Sequence, residues 1–196
     1  MNPTLDPALL AELVQESVAQ GKKPYLTVIS GSMAPLLQPN DQVQTEGVDL
    51  TDLQIGDIIV IAGVQAFMTH RYYGTLAIDD RLHLITRGDR SLTYDSPWPP
   101  NKLVGRVIAR RRRGRRLDLG GGLGRRLNHT LFRLAQTELR LFTHFRPHPN
   151  ARLATAGYID FPHYDQKHHF GHTIYRRLNQ LLAVILTTII TLTSQE

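Results

Sequence analysis

The chain has 196 residues, of which 41% are hydrophobic, so it can bury one real core and form one compact domain with appendages. It contains no cysteine, which excludes disulfides and thiolate metal sites. The net charge of +6 comes from a local run, because nine of the 23 basic residues lie within residues 106–126 against the single acid Asp118.

Residues 6–20 predict an amphipathic helix within an N-terminal segment, residues 1–24. Asp6 can cap this helix and Gly21 ends it. Its apolar residues recur at helical spacing: Leu9, Leu10, Leu13, Val14 and Val18. The segment has no basic start and is too short to span a bilayer, so we expect neither a signal peptide nor a transmembrane anchor here.

Short β-type runs separated by turn signals follow from residue 25. They lie at residues 25–29, 42–45, 57–62, 66–73, 82–86 and 103–109. The turn signals include Pro39-Asn40-Asp41 and Tyr73-Gly74. This pattern predicts a β-rich domain over residues 25–109.

Four residues of this domain supply the groups of a serine protease site: Ser32, His70, Asp89 and Asp95. A serine hydroxyl is a poor nucleophile at neutral pH and needs a neighbouring base, and that base needs an acid that fixes its tautomer. Histidine, with an ordinary pKa of about 6.5, can accept the hydroxyl proton at neutral pH and return it to the leaving amine. We therefore expect Ser32 to be the nucleophile, His70 the base and one of the aspartates the orienting acid.

Ordered motifs around these residues resemble the signal peptidase I family. They are Ser-Gly-Ser-Met-Ala-Pro-Leu-Leu at 30–37, Pro-Asn-Asp at 39–41, Ile-Gly-Asp-Ile-Ile-Val at 55–60, His-Arg at 70–71, Thr-Arg-Gly-Asp at 86–89 and Leu-Val-Gly-Arg-Val at 103–107. The resemblance covers about residues 25–109. It implies a mainly β catalytic domain of the signal peptidase and SOS-repressor type, and an endopeptidase that cuts leader or signal peptides after small residues.

The resemblance also implies a role for each site residue. The nucleophile falls on Ser32, and Ser30 would stabilise the oxyanion together with the backbone N–H of Ser32. No lysine occurs between Lys23 and Lys102, so His70 matches the histidine-using branch of the family, typified by the endoplasmic-reticulum and archaeal enzymes.

The acid that orients the histidine is left open between two aspartates. In the histidine-using branch the triad acid follows the Gly-Asp pair by several residues, which falls on Asp95, whereas Asp89 belongs to the pair itself. Where the family usually has Gly-Asp after the first motif, this chain has Asn40 before its aspartate. Asparagine also adopts the left-handed conformation that a turn requires.

An Arg-rich run at residues 110–116 opens a segment, 110–124, that we interpret as an Arg/Gly-rich linker. Two alternatives stay open for the run, a solvated linker or a contact to anionic lipid or nucleic acid. No nucleic-acid fold signature accompanies it, so nucleic acid is not the expected partner. The glycines of residues 120–124 lack the residues of a phosphate-binding loop and predict a flexible hinge.

Residues 125–196 predict a helical extension with an apolar C-terminal tail. A first amphipathic helix over residues 125–145 is suited to docking on the core or lying on a membrane. Residues 181–193 are almost entirely apolar or threonine, and as a helix they would measure about 20 Å, short of the roughly 30 Å hydrocarbon core. A buried helix, a partner-binding helix and a short membrane-inserted tail remain open. A membrane surface is thus a candidate partner through the Arg-rich run and this tail.

Four histidines crowd one part of the extension: His163, His168, His169 and His172. The pair at 168 and 172 could share one helix face, but few carboxylates accompany it, so the signal for a metal is weak. We expect no metal and no cofactor. Localisation stays open between a cytoplasmic and a membrane-associated protein.

The expected function is that of a serine endopeptidase acting on a polypeptide, a leader or signal peptide, by a Ser–His–Asp mechanism. Two alternatives come from other classes. One is a catalytically silent interaction module that keeps the same fold. The other is a nucleic-acid-binding regulator that uses the Arg-rich run.

Overall fold

The computed structural model describes residues 7–63, 66–91, 93–145 and 170–193. Its helices are α1 (Pro7–Ala19), α2 (Gly122–Phe145) and α3 (Phe170–Thr193), with short 3-10 turns at Leu50–Asp52 and Pro100–Lys102. Its strands are β1 (Tyr25–Thr27), β2 (Gln42–Glu46), β3 (Ile58–Ala62), β4 (Phe67–Ile78), β5 (Arg81–Arg87), β6 (Leu103–Arg112) and β7 (Arg115–Asp118).

The strands form one antiparallel sheet that curls into a half-barrel. Its order is β1-β2-β6-β3-β4-β5, and β7 pairs with β6. All five residues of β3 are buried, because apolar side chains cover both faces of the sheet at this central strand. The prediction of a mainly β domain is confirmed.

Two apolar clusters lie on the two faces of β3. The larger contains Ile58 and Val60 and extends to residues of all three helices, while the smaller contains Ile59 and Ile61 with Tyr72. Because side chains alternate along a strand, consecutive residues of β3 contribute to different clusters. The helices therefore share one core with the sheet.

Strand β4 is longer than the sequence predicts. Tyr73-Gly74 is not a turn but lies within the strand, where the register of β4 against β5 shifts between Tyr72 and Gly74. Such a bulge accommodates an unpaired residue, and Gly74 has a φ of 126° that glycine tolerates. The actual turn is Asp79-Asp80, where both residues have positive φ, 49° and 58°.

The predicted linker at 110–124 is wrong, because its first part belongs to the sheet. Strand β6 continues to Arg112, and a two-residue turn with φ of 49° at Arg113 and 80° at Gly114 leads into β7. Leu117 on β7 is buried in the larger cluster. The β domain thus extends beyond residue 109.

The predicted glycine hinge is also wrong. Helix α2 begins at Gly122, and a Cβ atom placed on Gly124 would lie 1.7 Å from the carbonyl oxygen of Asp118. The Asp118 side chain accepts a hydrogen bond of 2.9 Å from the N–H of Gly120. The glycines therefore allow a close, hydrogen-bonded connection between β7 and α2.

The Arg-rich run is divided between the interior and the surface. Arg110 is fully buried and donates to the Leu36 carbonyl at 3.0 Å, and Arg112 pairs with the buried Asp41 at 2.6 Å. Arg111 lies over the Tyr25 ring with its guanidinium carbon 4.4 Å from the ring centroid. Alternate arginines of the run thus point into the fold and have partners there, contrary to the interpretation of a wholly solvated run.

Helices α2 and α3 form an antiparallel pair. Arg176 lies 3.3 Å from Glu138, and Asn179 donates to the Leu134 carbonyl at 3.5 Å. Helix α2 buries Leu127 and other apolar side chains against the sheet. Of the two placements predicted for this helix, docking on the core or lying on a membrane, the structure therefore shows docking on the core. Among the helices that the structure describes, none has the length and apolar character needed to cross a membrane.

Candidate active site

Ser32 lies in the connection between β1 and β2, which is anchored at both ends. Backbone hydrogen bonds join the Val28 N–H to the Asp41 carbonyl at 2.8 Å and the Asn40 N–H to the Val28 carbonyl at 2.9 Å. Asn40 has a φ of 72°, which confirms the prediction that asparagine takes a left-handed conformation here. The residues that follow Ser32 are held in the core, since Met33, Leu36 and Leu37 are at most 1% exposed.

His70 is positioned by β4, where it pairs with Ile59 of the buried strand β3. Its Nε2 atom lies 2.9 Å from Oγ of Ser32, and its Nδ1 atom lies 2.6 Å from Oδ2 of Asp95. An ionised carboxylate can only accept, so Nδ1 carries the proton and Nε2 accepts from the serine hydroxyl. The structure therefore brings Ser32, His70 and Asp95 together in the order serine, histidine, aspartate.

Asp95 is held against β5 by Thr86. The Thr86 hydroxyl donates to Oδ2 of Asp95 at 2.7 Å, and the Asp95 N–H donates to the Thr86 carbonyl at 2.9 Å. Three residues further on, Trp98 exchanges backbone hydrogen bonds with Leu84. Thr86 was not singled out from the sequence as a site residue, although it opens the Thr-Arg-Gly-Asp motif.

The second aspartate, Asp89, forms no hydrogen bond with His70 in the described structure. It forms a bidentate pair with Arg71, at 2.7 Å from Nε and 2.6 Å from Nη2. Arg71 is fully buried, and although burial alone would lower the pKa of Arg71, the Asp89 carboxylate outweighs it and raises this pKa. Of the two candidate acids, the geometry puts Asp95 beside His70 and gives Asp89 a structural ion pair.

Arg71 also joins the site to α2. Its Nη1 atom donates to the Gly56 carbonyl at 2.8 Å and to Oδ1 of Asn128 on α2 at 2.7 Å. Its guanidinium carbon lies 5.8 Å from the centroid of the Phe132 ring. The residue next to His70 therefore ties the helical extension to the sheet, which the sequence did not indicate.

Gly88, which directly follows β5, lies close to both Ser32 and His70. The N–H of Arg90 donates to the Ser32 carbonyl at 2.9 Å. A Cβ atom on Gly88 would lie 3.1 Å from Nε2 of His70 and 3.1 Å from Cβ of Ser32. A glycine at this position therefore leaves room for the Ser32–His70 pair.

Two donors are available beside the Ser32 hydroxyl. The Ser30 hydroxyl lies 3.2 Å from the Ser32 hydroxyl, and the Ser32 N–H forms no hydrogen bond with any residue that the structure describes. The neighbouring Ile29 is 73% exposed, so this stretch of chain faces solvent. The arrangement can activate a hydroxyl, receive its proton and donate hydrogen bonds to an anion that forms beside it.

Among the described residues, no three histidine, cysteine, aspartate or glutamate side chains are placed so that they could hold a metal ion together. The predicted weak histidine cluster at His163, His168 and His169, with the side chain of His172, lies outside the described residues.

A cavity of about 390 Å³ lies between β3, β6 and α2. It is lined by residues that include Asp57, Arg106 and His129, and none of Ser32, His70 and Asp95 lines it. The three side chains, each partly buried, therefore lie outside this cavity. Comparisons of this chain with protein-family models, with curated proteins and with solved structures find no significant match.

Proposed function

We propose that this chain is a serine endopeptidase with Ser32 as its nucleophile, His70 as its general base and acid, and Asp95 as the residue that orients the histidine. One observation carries the proposal. The Ser32 Oγ to His70 Nε2 distance of 2.9 Å and the His70 Nδ1 to Asp95 Oδ2 distance of 2.6 Å form a continuous chain of hydrogen bonds. Each distance is within the range that a proton transfer requires.

In the first step Oγ of Ser32 bonds to the carbonyl carbon of the scissile peptide, and its proton passes to Nε2 of His70. The imidazolium that forms is stabilised by the Asp95 carboxylate at Nδ1. When the carbon–nitrogen bond breaks, His70 returns the proton to the leaving amine. Water then attacks the acyl-serine with His70 again as the base, which frees the acid product and restores the Ser32 hydroxyl.

The negative charge on the carbonyl oxygen is stabilised by two donors, the hydroxyl of Ser30 and the N–H of Ser32. Ser30 is 3.2 Å from the attacking oxygen and can turn its hydroxyl towards the oxyanion when Ser32 bonds to the substrate. Donors that are in place before the charge develops contribute more to catalysis than solvent does.

We further propose that the substrate is a leader or signal peptide cut after a small residue, and that the fold is of the signal peptidase type. The ordered motifs that resemble this family support it, as does the mainly β domain. Two residues within those motifs add to this: Asn40 has the positive φ of a turn, and Gly88 approaches His70 and Ser32 closely. Strand β1 pairs only with β2 in the described sheet, so its second edge is free beside the segment that leads to Ser32. An extended peptide can add to such an edge by main-chain hydrogen bonds.

The test compares newly created protein N-termini in cells that express the parent chain, Ser32→Ala or His70→Ala. Ser17→Ala on α1 and His83→Ala on β5 are matched controls, because these side chains lie outside the site. We expect N-termini preceded by small residues with the parent and both controls, and their loss in the two site variants. Identical profiles from all five proteins, each folded by circular dichroism, would contradict the proposal.

A further inference from the structure

The outer face of α3 is apolar and has no partner within the described structure. Eight of its aliphatic side chains are between 44% and 59% exposed: Ile174, Leu178, Leu181, Leu182, Val184, Ile185, Ile189 and Leu192. The opposite face holds the buried Ala183 and Thr187, which pack towards the rest of the domain. An exposed stripe of this length on one helix marks an interaction surface.

This face also lacks charge. No charged residue occurs between Leu178 and Thr193. The nearby acids are already neutralised, because Glu138 pairs with Arg176 at 3.3 Å and Asp41 pairs with Arg112 at 2.6 Å. Among the described residues, these two acids therefore carry no unpaired negative charge that would repel an anionic partner.

Unpaired arginines lie near both ends of the face. At its N-terminal end Arg177 is exposed and pairs with no acid that the structure describes. At its C-terminal end Arg110 donates to the Thr191 hydroxyl at 2.8 Å, which brings the β6–β7 turn next to α3. Arg115 lies opposite Arg112 in the register of β6 and β7, and Arg112 is two residues from Arg110 on β6. The side chains of all three therefore lie on the same side of the sheet. Arg115 is exposed and has no acidic partner among the described residues.

We propose that the outer face of α3 binds an anionic lipid surface, with the helix lying parallel to it. The aliphatic side chains would enter the boundary between headgroups and acyl chains, and Arg177 and Arg115 would contact lipid phosphates. The parallel orientation follows from packing, since the opposite side of the helix is bound to the domain. This proposal is independent of the peptidase activity.

Charge favours a lipid surface over a second copy of the chain. Two copies that met through α3 would bring together surfaces that each carry the unpaired Arg177 and Arg115, while the described acids Glu138 and Asp41 beside the face are already paired with arginines. An anionic bilayer offers the complementary charge along the whole face. Self-association is therefore the alternative that the experiment must distinguish.

The experiment is co-sedimentation of the full chain with phosphatidylcholine vesicles that contain or lack phosphatidylglycerol, at low and high salt. We expect binding to the anionic vesicles that weakens with salt. The double variant Leu181→Gln/Ile185→Gln should weaken binding at least about tenfold. Arg115→Gln/Arg177→Gln should also weaken it about tenfold, and only with anionic vesicles.

Matched controls carry the same changes on other surfaces. Ile55→Gln/Leu82→Gln replaces two residues that are 59% and 50% exposed, and Arg81→Gln removes an exposed cation from β5. Both should bind as the parent does. Failure of the parent to bind anionic vesicles, or equal binding by the α3 variant, would overturn the proposal. A parent dimer in sedimentation velocity that the α3 variant abolishes, without lipid binding, would assign the face to self-association.

Discussion

A Cβ atom placed on Gly88 would lie 3.1 Å from Nε2 of His70, the nitrogen that lies 2.9 Å from Oγ of Ser32. We predict that Gly88→Ala lowers kcat at least tenfold, because a methyl group at this distance must displace the imidazole or the serine by a few tenths of an ångström. Displacements of about 1 Å in reacting groups can cost on the order of 100-fold in rate.

The matched control for this prediction is Gly120→Ala, where the added Cβ would meet its nearest neighbour, Oδ1 of Asp118, at an ordinary 3.5 Å. Kinetics on a peptide containing a cleavage site found in the cellular experiment, together with the melting temperature of each variant, separate a local displacement from unfolding. Full activity in Gly88→Ala would show that the close approach does not constrain the site.

The two aspartates near the site should differ in what they support. Asp95→Asn removes the carboxylate that holds Nδ1–H of His70, so we predict a loss of up to about 10⁴-fold in kcat with little change in stability. Asp89→Asn leaves the buried Arg71 without a counter-charge and should cost about 3–5 kcal/mol of unfolding free energy. Urea denaturation and single-turnover kinetics on both variants test the difference. An exchange of the two phenotypes would assign the orienting role to Asp89.

Ser30 provides a test of the proposed oxyanion site. Ser30→Ala removes a hydroxyl donor, and we predict a fall in kcat of about 100-fold or more with a nearly unchanged KM, because the oxyanion exists only in the transition state and intermediates. Ser30→Thr keeps a hydroxyl and should recover part of the activity. A loss confined to KM would instead place Ser30 in substrate binding.

The roles of Ser32 and His70 could be predicted from their chemistry and motifs, and the acid could be narrowed to Asp95 or Asp89. The approach of these side chains to one another in space could not be predicted. Asp95 reaches His70 only because Thr86 holds it beside β5, through two contacts across nine residues of sequence. Local patterns describe helices and strands, whereas such contacts depend on the pairing of distant segments. The same limit applies to Asn128, which contacts Arg71 from 57 residues away.

The Arg-rich run shows why a charge pattern alone was misleading. Consecutive arginines ordinarily indicate a solvated segment. Within a β-strand, however, alternate side chains point to opposite faces, and here Arg110 and Arg112 meet the Leu36 carbonyl across more than seventy residues. The run could be recognised as part of two strands only once β2 was seen to pair with β6, and β6 with β7.

Arg110 and Arg112 should respond differently to removal of their charge. Arg112→Met leaves the buried Asp41 carboxylate without its partner, so we predict a loss of about 3–5 kcal/mol in unfolding free energy. Burial and the neighbouring Arg112 lower the pKa of Arg110 to about 10, and its Nε atom has no hydrogen-bond partner among the described residues. Arg110→Met should therefore change stability by less than about 1 kcal/mol. Urea unfolding of both variants measures the contrast, and equal losses would contradict it.

Glu138 should make the stability of the helical pair depend on pH. Burial raises the pKa of Glu138 above its ordinary value, although Arg176 and Arg87 act in the opposite direction. The folded state therefore binds the Glu138 proton more tightly than the unfolded chain does. Below the ordinary value both states are protonated, and as the pH rises through the ordinary and then the raised value the fold loses stability.

Glu138→Gln keeps the size of the side chain, and its amide oxygen can still accept from Arg176, but it cannot ionise. We predict that the stability difference between Glu138→Gln and the parent shifts in favour of the variant as the pH is raised from about 4 to about 8, because only the parent then buries a new charge. Urea unfolding across this range gives the difference curve, and Glu12→Gln on the exposed face of α1 supplies the control. A difference that is independent of pH, or one that shifts in favour of the parent, would mean that Arg176 fully compensates the burial of the carboxylate.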